Sequence, residues 1–309
     1  MNKKTLFFID DVIWVFRDLT RQRPASLFDN PFMRLLLELH TLYGVKTQLN
    51  VFYQTDTFYG NDLFTLDEMT DAYKSEFEAC SDWLKLGFHS RQEFPDYPYI
   101  NATYEHIAED YALIKNAVLR FAGEKSFSIS TTPHWRPISR AACHALYDGG
   151  IRMMSATCSN LSANDTDISL LPYGHAGRFL QNRQPETALF VREFGDPALK
   201  ISIRGYNNIS TEESERTRYT CDYVVDGETG LCFKELGGAP SLNVATKEEI
   251  AEVYPTLVDR EFLCYATHEQ YFYPDYYAYQ PDYPEKLKLA AKIISESGYE
   301  YVFGGDLLK

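Results

Sequence analysis

The sequence predicts an α/β protein organised around a parallel β-sheet, which is either closed into a barrel or open and doubly wound. Three observations lead to this fold class. Short apolar runs alternate with segments of helical periodicity along most of the 309 residues. Most of these runs end in polar residues, as buried parallel strands do at the edge where ligands bind. The first run is followed by neither G-x-G-x-x-G nor a P-loop sequence, which disfavours a nucleotide-binding sheet.

The first predicted strand is the apolar run of residues 6–9, which stops at the adjacent carboxylates Asp10 and Asp11. Four apolar residues in a row are typical of a strand that is buried on both faces. Carboxylates are seldom fully buried unless they are paired or bind a metal ion. We therefore expect the two aspartates at the carboxyl end of this strand, as the first candidates for a functional site.

Four further strands and four helices are predicted in the first half of the chain. A helix over 31–43 is indicated by Asn30 as its N-cap, Pro31 at its first position and Gly44 at its end. A helix over 105–122 carries the clearest apolar stripe. The remaining predicted elements are helices at 66–79 and 139–147 and strands at 45–53, 84–88, 127–131 and 151–156.

The alternation of strands and helices breaks between residues 160 and 245. Short alternating runs with many Gly, Pro and Asn residues predict a β-rich insertion over 160–245, within a single domain that spans residues 1–309. Asp226 and Gly227 indicate a hairpin inside this insertion. Regular elements then return, beginning with a capping box at Thr246. They are a helix at 246–257, a strand at 262–266, a helix at 284–297 and a strand at 299–303, which makes seven core strands.

The composition limits the partners of the protein. Its formal net charge of −14 argues against binding to nucleic acid or to an anionic membrane, since both require a basic patch. No apolar stretch approaches the roughly 18 residues of a membrane span, and the first apolar run is too short for a signal peptide. The 6 cysteines contain no C-x-x-C spacing and are expected to be reduced. The expected location is therefore the cytoplasm, with no nucleic-acid or membrane partner.

Aspartate, histidine and arginine side chains, which can bind metal ions or transfer protons, follow four of the predicted strands. Because the carboxyl ends of parallel strands in a barrel meet at one mouth, we expect these side chains to converge on a single functional site. They are Asp10 and Asp11 after the first strand, His89 after the third, His134 and Arg136 after the fourth, and His268 after the strand at 262–266.

Four short motifs, in this order along the chain, resemble those of the polysaccharide deacetylases, which are the NodB-like carbohydrate esterases. Residues 8–12 (FIDDV) resemble the family's Thr-Phe-Asp-Asp-Gly motif, and residues 87–93 (GFHSRQE) resemble its His-Ser/Thr-x-x-His motif. Residues 135–137 (WRP) resemble its arginine-proline motif, and residues 266–268 (ATH) resemble its late Leu-x-His motif. The resemblance extends over residues 5–306 apart from the insertion. It implies an irregular seven-stranded (β/α) barrel.

The resemblance also implies a reaction, the metal-dependent removal of an acetyl group from an N-acetylated or O-acetylated carbohydrate. Asp11 and His89 would be ligands of a divalent metal ion, with zinc as the expected metal. Asp10 would be the general base, oriented by Arg136, and His268 would be the general acid. The expected substrate is a small carbohydrate or another acetylated amide, and no oligomeric state follows from the sequence.

The sequence departs from the family pattern at three places. Glu93 stands where the second motif has its second histidine, Val12 replaces the glycine of the first motif, and an Asp-x-x-Asp-Trp motif is missing. Glu93 and His134 are therefore both candidates for the third metal ligand. We favour His134, because imidazole is the commonest metal ligand and His134 directly follows a strand.

Two other functions stay open at this point. The first is a metal-free glycoside hydrolase, in which two carboxylates flank the scissile bond. Asp10 and Asp11 are adjacent, so they are expected to point to different sides, which disfavours this function. The second is a catalytically degenerate protein that only binds carbohydrate.

Overall fold

The structure is a computed structural model that describes residues 3–55, 62–95, 97–158, 165–167, 200–202 and 207–308. Within these ranges the strands are β1 (Lys4–Val12), β2 (Thr47–Phe52), β3 (Leu84–Ser90), β4 (Ser130–Thr131), β5 (Met153–Ser155), β6 (Thr157–Cys158), β7 (Asp165–Asp167), β8 (Lys200–Ser202), β9 (Asn208–Ile209), β10 (Val224–Val225), β11 (Cys232–Lys234), β12 (Phe262–His268) and β13 (Glu300–Tyr301). The α-helices in the same ranges are α1 (Trp14–Gln22), α2 (Pro31–Tyr43), α3 (Lys74–Ala79), α4 (Tyr104–Phe121), α5 (Arg140–Gly149), α6 (Thr211–Thr217), α7 (Lys247–Leu257) and α8 (Tyr283–Glu296).

Two sets of parallel strands together form a ring. In the first set, β12, β1, β2 and β3 are neighbours in that order. In the second set, β4 and β11 lie on either side of β5. Isolated bridges join the two sets, from Leu86 in β3 to Phe127 before β4 and from Cys264 in β12 to Gly238 after β11. Seven strands (β1, β2, β3, β4, β5, β11 and β12) therefore form an irregular barrel, and the predicted α/β fold class is confirmed.

One strand of the ring differs from the prediction. The predicted last strand is present as β13, but within the described residues it pairs only with Lys4 and Thr5 of β1 and does not close the ring. The seventh position is taken by β11, which pairs antiparallel with β10 and parallel with β5. The predicted hairpin around Asp226 is thus confirmed. A run of three residues carries no signal that separates a hairpin strand from a barrel strand, so the pattern alone does not place β11 in the barrel.

The predicted β-rich insertion at 160–245 is only partly covered by the structure. Residues 160–164, 168–199 and 203–206 lie outside the described residues. Inside the described part, β7 and β8 pair antiparallel, and β6 pairs parallel with β9.

Side chains of β1 alternate between the barrel interior and the surrounding helices. Leu6 and Phe8 belong to a buried apolar cluster with residues of the opposing strands, whereas Phe7 and Ile9 pack in the larger core beneath the helices. The strand is therefore buried on both faces, as predicted. The interior cluster also contains Met153, Cys232, Leu236, Phe262, Cys264, Val302 and Leu307.

Helix α2 begins and ends at the residues that the sequence indicates. The Oδ1 atom of Asn30 accepts hydrogen bonds from the N–H groups of Phe32 and Met33, at 2.9 and 3.2 Å. Gly44 ends the helix with a φ of 68°, in the left-handed region that glycine adopts without a steric penalty. Helix α4 likewise buries the predicted apolar stripe, from Ile107 to Phe121.

Two helices differ from the prediction. The predicted helix at 66–79 is divided into a 3-10 turn at Leu66–Glu68 and the short helix α3. The Thr70 hydroxyl accepts the N–H of Ala72, a local hydrogen bond that competes with a continuous helix. Helix α1 follows β1 almost directly and is absent from the prediction; its N-cap residue, Ile13, has no side chain that could cap a helix.

The structure bears on two features considered from the sequence, membrane-spanning helices and free cysteines. No helix in the described part of the chain is long and apolar enough to cross a membrane. Cys80, Cys143, Cys232 and Cys264 are buried free thiols, and Cys221 is a partly exposed one. No disulfide joins these five cysteines in the described part of the chain.

Candidate metal centre

The carboxyl end of β1 places two consecutive carboxylates at the mouth of the barrel. Asp10 pairs in register with His268 of β12, and beyond it the pairing of β1 with β2 slips. Asp11 has a φ of 61°, in the left-handed region that aspartate tolerates better than most residues. Because of this irregularity both carboxylates reach the ring of His89, Asp10 at 3.9 Å from Nδ1 and Asp11 at 3.0 Å from Nε2.

Three buried side chains meet in a small triangle at this mouth. The Oδ1 atom of Asp11 lies 3.0 Å from Nε2 of His89 and 3.3 Å from Nδ1 of His134. The two ring nitrogens are 3.1 Å apart. Within the described ranges, these three residues are the cluster of His, Cys, Asp or Glu side chains whose ligand atoms are close enough to share a metal ion.

The other nitrogen of each histidine is bound to a backbone carbonyl. Nδ1 of His89 donates to the carbonyl of Thr132, and Nε2 of His134 donates to the carbonyl of Glu93 at 2.8 Å. A carbonyl oxygen can only accept, so in the neutral rings the hydrogen is on these outer nitrogens. The inner nitrogens then direct lone pairs at each other and at the Asp11 carboxylate. Three lone pairs that converge in a buried space repel one another unless a positive charge lies between them.

The electrostatics of the triangle also favour a positive charge. Burial by itself raises the pKa of Asp11, but the positive field of His268 and the hydrogen bonds of His134 and His89 outweigh it and hold this pKa well below its usual range. Burial lowers the pKa of His89, but Asp10 and Asp11 outweigh this effect and raise it to about 9. Without a metal ion the site therefore retains a proton at neutral pH.

The donor set fits a divalent ion such as zinc. Imidazole nitrogens and carboxylate oxygens that share a zinc ion lie about 2.0 to 2.2 Å from it and hence roughly 3 to 3.5 Å from one another. The three distances in the triangle, from 3.0 to 3.3 Å, fall in this range. Three protein ligands are also the usual number in catalytic zinc sites, where a fourth position is left for water or substrate. The carbonyl partners of both histidines match the outer hydrogen bonds that orient metal-binding imidazoles.

Glu93, the other predicted candidate for third ligand, lies outside the triangle. Its carboxylate accepts a hydrogen bond from Nε2 of Gln270 at 2.9 Å, and Gln270 also donates to Oδ2 of Asp11 at 3.1 Å. The backbone carbonyl of Glu93 holds His134. Of the two candidates, His134 is part of the triangle. Glu93 contacts His134 through its backbone carbonyl and Gln270 through its carboxylate. The sequence gives no signal for Gln270, an amide beyond the last matched motif.

His268 lies at the open side of the triangle, with about a third of its side chain exposed. Its Nε2 is 3.8 Å from Oδ2 of Asp11, and its Nδ1 is 3.0 Å from Oδ1 of Asn243. The hydroxyl of Ser241 also donates to this oxygen. With the amide in this orientation, Nδ1 of His268 donates to Asn243, and Nε2 faces the Asp11 carboxylate.

Asp10 is held by an amide and not by the predicted arginine. Nδ2 of Asn50 donates to Oδ1 of Asp10 at 2.6 Å. Arg136 is exposed, and although both residues lie in the described part of the chain, no ion pair joins it to Asp10. The backbone of Trp135 and Arg136 is in the left-handed region, with φ of 60° and 70°.

Glu269, which the sequence does not single out, links the end of β12 to the start of helix α1. Its fully buried carboxylate accepts hydrogen bonds from the N–H groups of Ile13, Trp14 and Val15, at 2.7, 2.8 and 2.7 Å. These are the first N–H groups of helix α1, so Glu269 provides the cap that Ile13 does not. Burial raises the pKa of Glu269 to about 7, against the opposing effect of the three N–H groups. The end of β12, with His268, is thereby fixed to the segment that follows Asp11.

Comparisons with known proteins show similarity of fold. No family model matches the chain, and no curated protein matches it in sequence. A 4-alpha-glucanotransferase from Thermococcus litoralis matches in structure over 100% of this chain, with a TM-score of 0.54 and 11% identity. This chain spans only 40% of the length of that enzyme.

Two further structures are similar over 99% of this chain, both with a TM-score of 0.43. One is a family 4 acetyl xylan esterase from Clostridium thermocellum, solved with a cobalt ion, which is 14% identical and covered over 90% of its length. The other is a Mycobacterium smegmatis protein described as a polysaccharide deacetylase, which is 12% identical and covered over 89%. At these identities the similarity concerns the fold alone.

Proposed function

We propose that this protein is a divergent member of the polysaccharide deacetylase family, a metal-dependent hydrolase that removes an acetyl group from a small N-acetylated or O-acetylated carbohydrate. The observation that carries the proposal is the convergence of three ligand atoms, from Asp11, His89 and His134, at mutual distances of 3.0 to 3.3 Å. Asp10 and His268, the two residues that the resemblance assigns to acid–base chemistry, flank this triangle.

Asp11, His89 and His134 would hold the divalent ion, and zinc is the metal that we expect. A divalent ion bound there would polarise the acetyl carbonyl and activate water for attack. The remaining chemistry consists of proton transfers and depends on residues of this chain.

Asp10 is the residue placed to accept a proton from the attacking water. Its contacts with Asn50 and His89 both involve Oδ1, so Oδ2 is the oxygen available to take up the proton. His268 is placed to donate a proton to the leaving nitrogen or oxygen of the sugar. Its Nδ1 is engaged by Asn243, so Nε2, on the exposed side, is the atom that donates.

The arrangement of the carboxylates disfavours the metal-free glycoside hydrolase. Such an enzyme needs two carboxylates that flank the scissile bond. Asp11 is instead committed to His89, His134 and Gln270, and it is buried. Both carboxylates approach the same imidazole ring, that of His89, which leaves Asp11 no free face for a glycosidic bond.

The proposal is tested by measuring acetate release from N-acetylated and O-acetylated sugars. The protein is assayed as purified without chelator, after removal of metal, and after zinc is restored. We expect acetate release that is lost on metal removal and recovered with zinc, and no new reducing ends from glycosidic substrates. Cleavage of glycosidic bonds by the metal-free protein would support the glycoside hydrolase instead. Sugar binding without any turnover would support the alternative that the protein only binds carbohydrate.

A further inference from the structure

A chain of buried polar side chains crosses the barrel interior directly beneath the candidate site. It runs from the hydroxyls of Ser128 and Ser130 to the amide of Gln48, from there to the amide of Asn50, and ends at the Asp10 carboxylate. All of these side chains are buried. The proposed chemistry uses only the last of them, so the other four need an explanation.

The hydrogen bonds of Gln48 fix the orientation of its amide. Its Oε1 accepts from the hydroxyls of Ser128 and Ser130, at 2.8 and 2.9 Å. Its Nε2 donates to the backbone carbonyl of Ser130 at 3.1 Å and to Oδ1 of Asn50 at 2.7 Å. A carbonyl can only accept, so this nitrogen position cannot be exchanged with the oxygen. The Gln48 side chain is thus fully hydrogen-bonded in one orientation.

The orientation of Gln48 determines that of Asn50. Because Oδ1 of Asn50 receives the hydrogen bond from Gln48, Nδ2 must face Asp10, where it donates to Oδ1 at 2.6 Å. A rotated Asn50 would place its oxygen against the carboxylate and its nitrogen against the nitrogen of Gln48. Both mismatches would leave buried polar atoms without partners, which buried networks avoid.

Gly87 of β3 leaves the space that this chain of hydrogen bonds occupies. A Cβ atom at this position would lie 2.8 Å from Nε2 of Gln48, 3.0 Å from Oδ1 of Asn50 and 3.3 Å from the carbonyl of Ser130. The φ of Gly87 is not in the left-handed region, so its backbone does not require glycine. Glycine is required at position 87 because the side-chain amides of Gln48 and Asn50 occupy the space that a Cβ atom would need.

We propose that the relay from Ser128 and Ser130 through Gln48 to Asn50 fixes the orientation of the Asp10 carboxylate, and that Asn50 and Gln48 are positioning residues of the reaction. Asn50 acts in place of the arginine expected from the family resemblance. Gln48 acts through Asn50 and does not itself touch the carboxylate. This inference rests on the proposed function, in which Asp10 accepts the proton of the attacking water.

The kinetic test compares Asn50→Leu and Gln48→Met with the control Met153→Leu. Asn50→Leu removes the donor at similar volume, and we expect kcat to fall about 10- to 100-fold, because small displacements of a catalytic group are costly. Gln48→Met leaves Asn50 free to adopt either orientation, so a smaller fall in kcat, roughly three- to tenfold, is expected. KM and zinc affinity should stay within about threefold of wild type in both variants. Met153 lies in the same barrel interior without joining the relay, and its substitution should leave kcat unchanged.

A second readout does not depend on activity. In wild type, the side-chain amide protons of Asn50 should give a displaced, slowly exchanging signal in ¹H–¹⁵N spectra, because one of them is held by a buried carboxylate. Gln48→Met should shift this signal even though it leaves Asn50 in place, and Met153→Leu should not. Thermal melting shows which variants are folded, and Gln48→Met alone is sufficient for the test if Asn50→Leu does not fold.

The outcomes separate the relay from the proposed function. An Asn50 signal that is unchanged in Gln48→Met overturns the relay, and so does a fall in kcat that is equally large in Met153→Leu. A wild-type protein that releases no acetate overturns the proposed function, while the spectra still decide whether the relay orients Asp10. A shifted signal together with a selective fall in kcat supports both.

Discussion

Nε2 of His89 and Nδ1 of His134 lie 3.1 Å apart, and each ring donates its outer N–H to a backbone carbonyl. Two neutral imidazoles in this arrangement turn their lone pairs toward each other. The Asp11 carboxylate completes the triangle at 3.0 and 3.3 Å. The hydrogen bonds behind the histidines therefore prepare the site for a cation.

Asp10→Asn should abolish acetate release and leave the bound metal in place. The amide cannot accept the proton of water, while the proposed metal ligands Asp11, His89 and His134 remain. The measurement is acetate release together with metal content. Asp82→Asn, an exposed carboxylate at the opposite end of β3, is the matched control and should behave as wild type. Full activity in Asp10→Asn would show that another group is the base.

His268→Ala should slow the release of a poor leaving group much more than that of a good one. General acid catalysis is typically worth roughly 10²- to 10⁴-fold, and an activated phenolate ester needs no protonation of its leaving group. The comparison is between kcat for an N-acetylated sugar and kcat for an activated acetyl ester. Equal losses on the two substrates would assign His268 a role in binding or folding.

Glu269→Leu should lower the free energy of unfolding by about 3 kcal/mol, because three buried N–H groups at the start of helix α1 lose the side chain that accepts their hydrogen bonds. Denaturation by urea measures the change. Glu249→Ala is a matched control, since it removes a carboxylate that caps helix α7 at the surface, and it should cost at most about 1 kcal/mol. Equal costs for the two changes would contradict the special role of Glu269.

Lys234 should make the protein more stable as the pH rises from about 8 to 10. Burial lowers the pKa of this amine to about 8, from an ordinary value of 10.5. Between these values the unfolded chain binds a proton that the folded protein does not, so the free energy of unfolding increases with pH, by about 3 kcal/mol over the whole interval. Below pH 8 both states are protonated and this dependence vanishes.

The variant Lys234→Met removes the titrating group and isolates its effect. The measurement is urea denaturation of wild type and variant at pH 7, 8, 9 and 10. We expect the difference in unfolding free energy between the two proteins to be constant up to about pH 8 and to change in favour of wild type above it. A difference that is constant up to pH 10 would contradict the lowered pKa.

The parts of the fold that could be predicted from the sequence are those with local signals. The apolar run before Asp10 and Asp11 predicts a buried strand, and the caps at Asn30 and Gly44 predict the limits of helix α2. His134 could be placed at the site because it directly follows a predicted strand. In each case the residues that determine the structure are close together in the sequence.

The parts that could not be predicted depend on partners far away in the sequence. Helix α1 has no local N-cap, because its cap is the carboxylate of Glu269, 256 residues beyond Ile13. Asn50 and Gln48 belong to a predicted strand, but only the closed barrel shows that their amides face inward and that Asn50 reaches Asp10. The left-handed backbone of Asp11 is likewise invisible in the pattern, although it brings both aspartates to His89.

The most direct test of the central claim is a titration of the metal-free protein with zinc. We predict one ion per chain for wild type and a loss of affinity of at least about 100-fold in His134→Ala, which removes a ligand. Glu93→Ala leaves the backbone carbonyl that holds His134, so its loss should be about tenfold or less. A wild-type protein that takes up no zinc, or a metal that is loosened by Glu93→Ala and not by His134→Ala, would contradict the account.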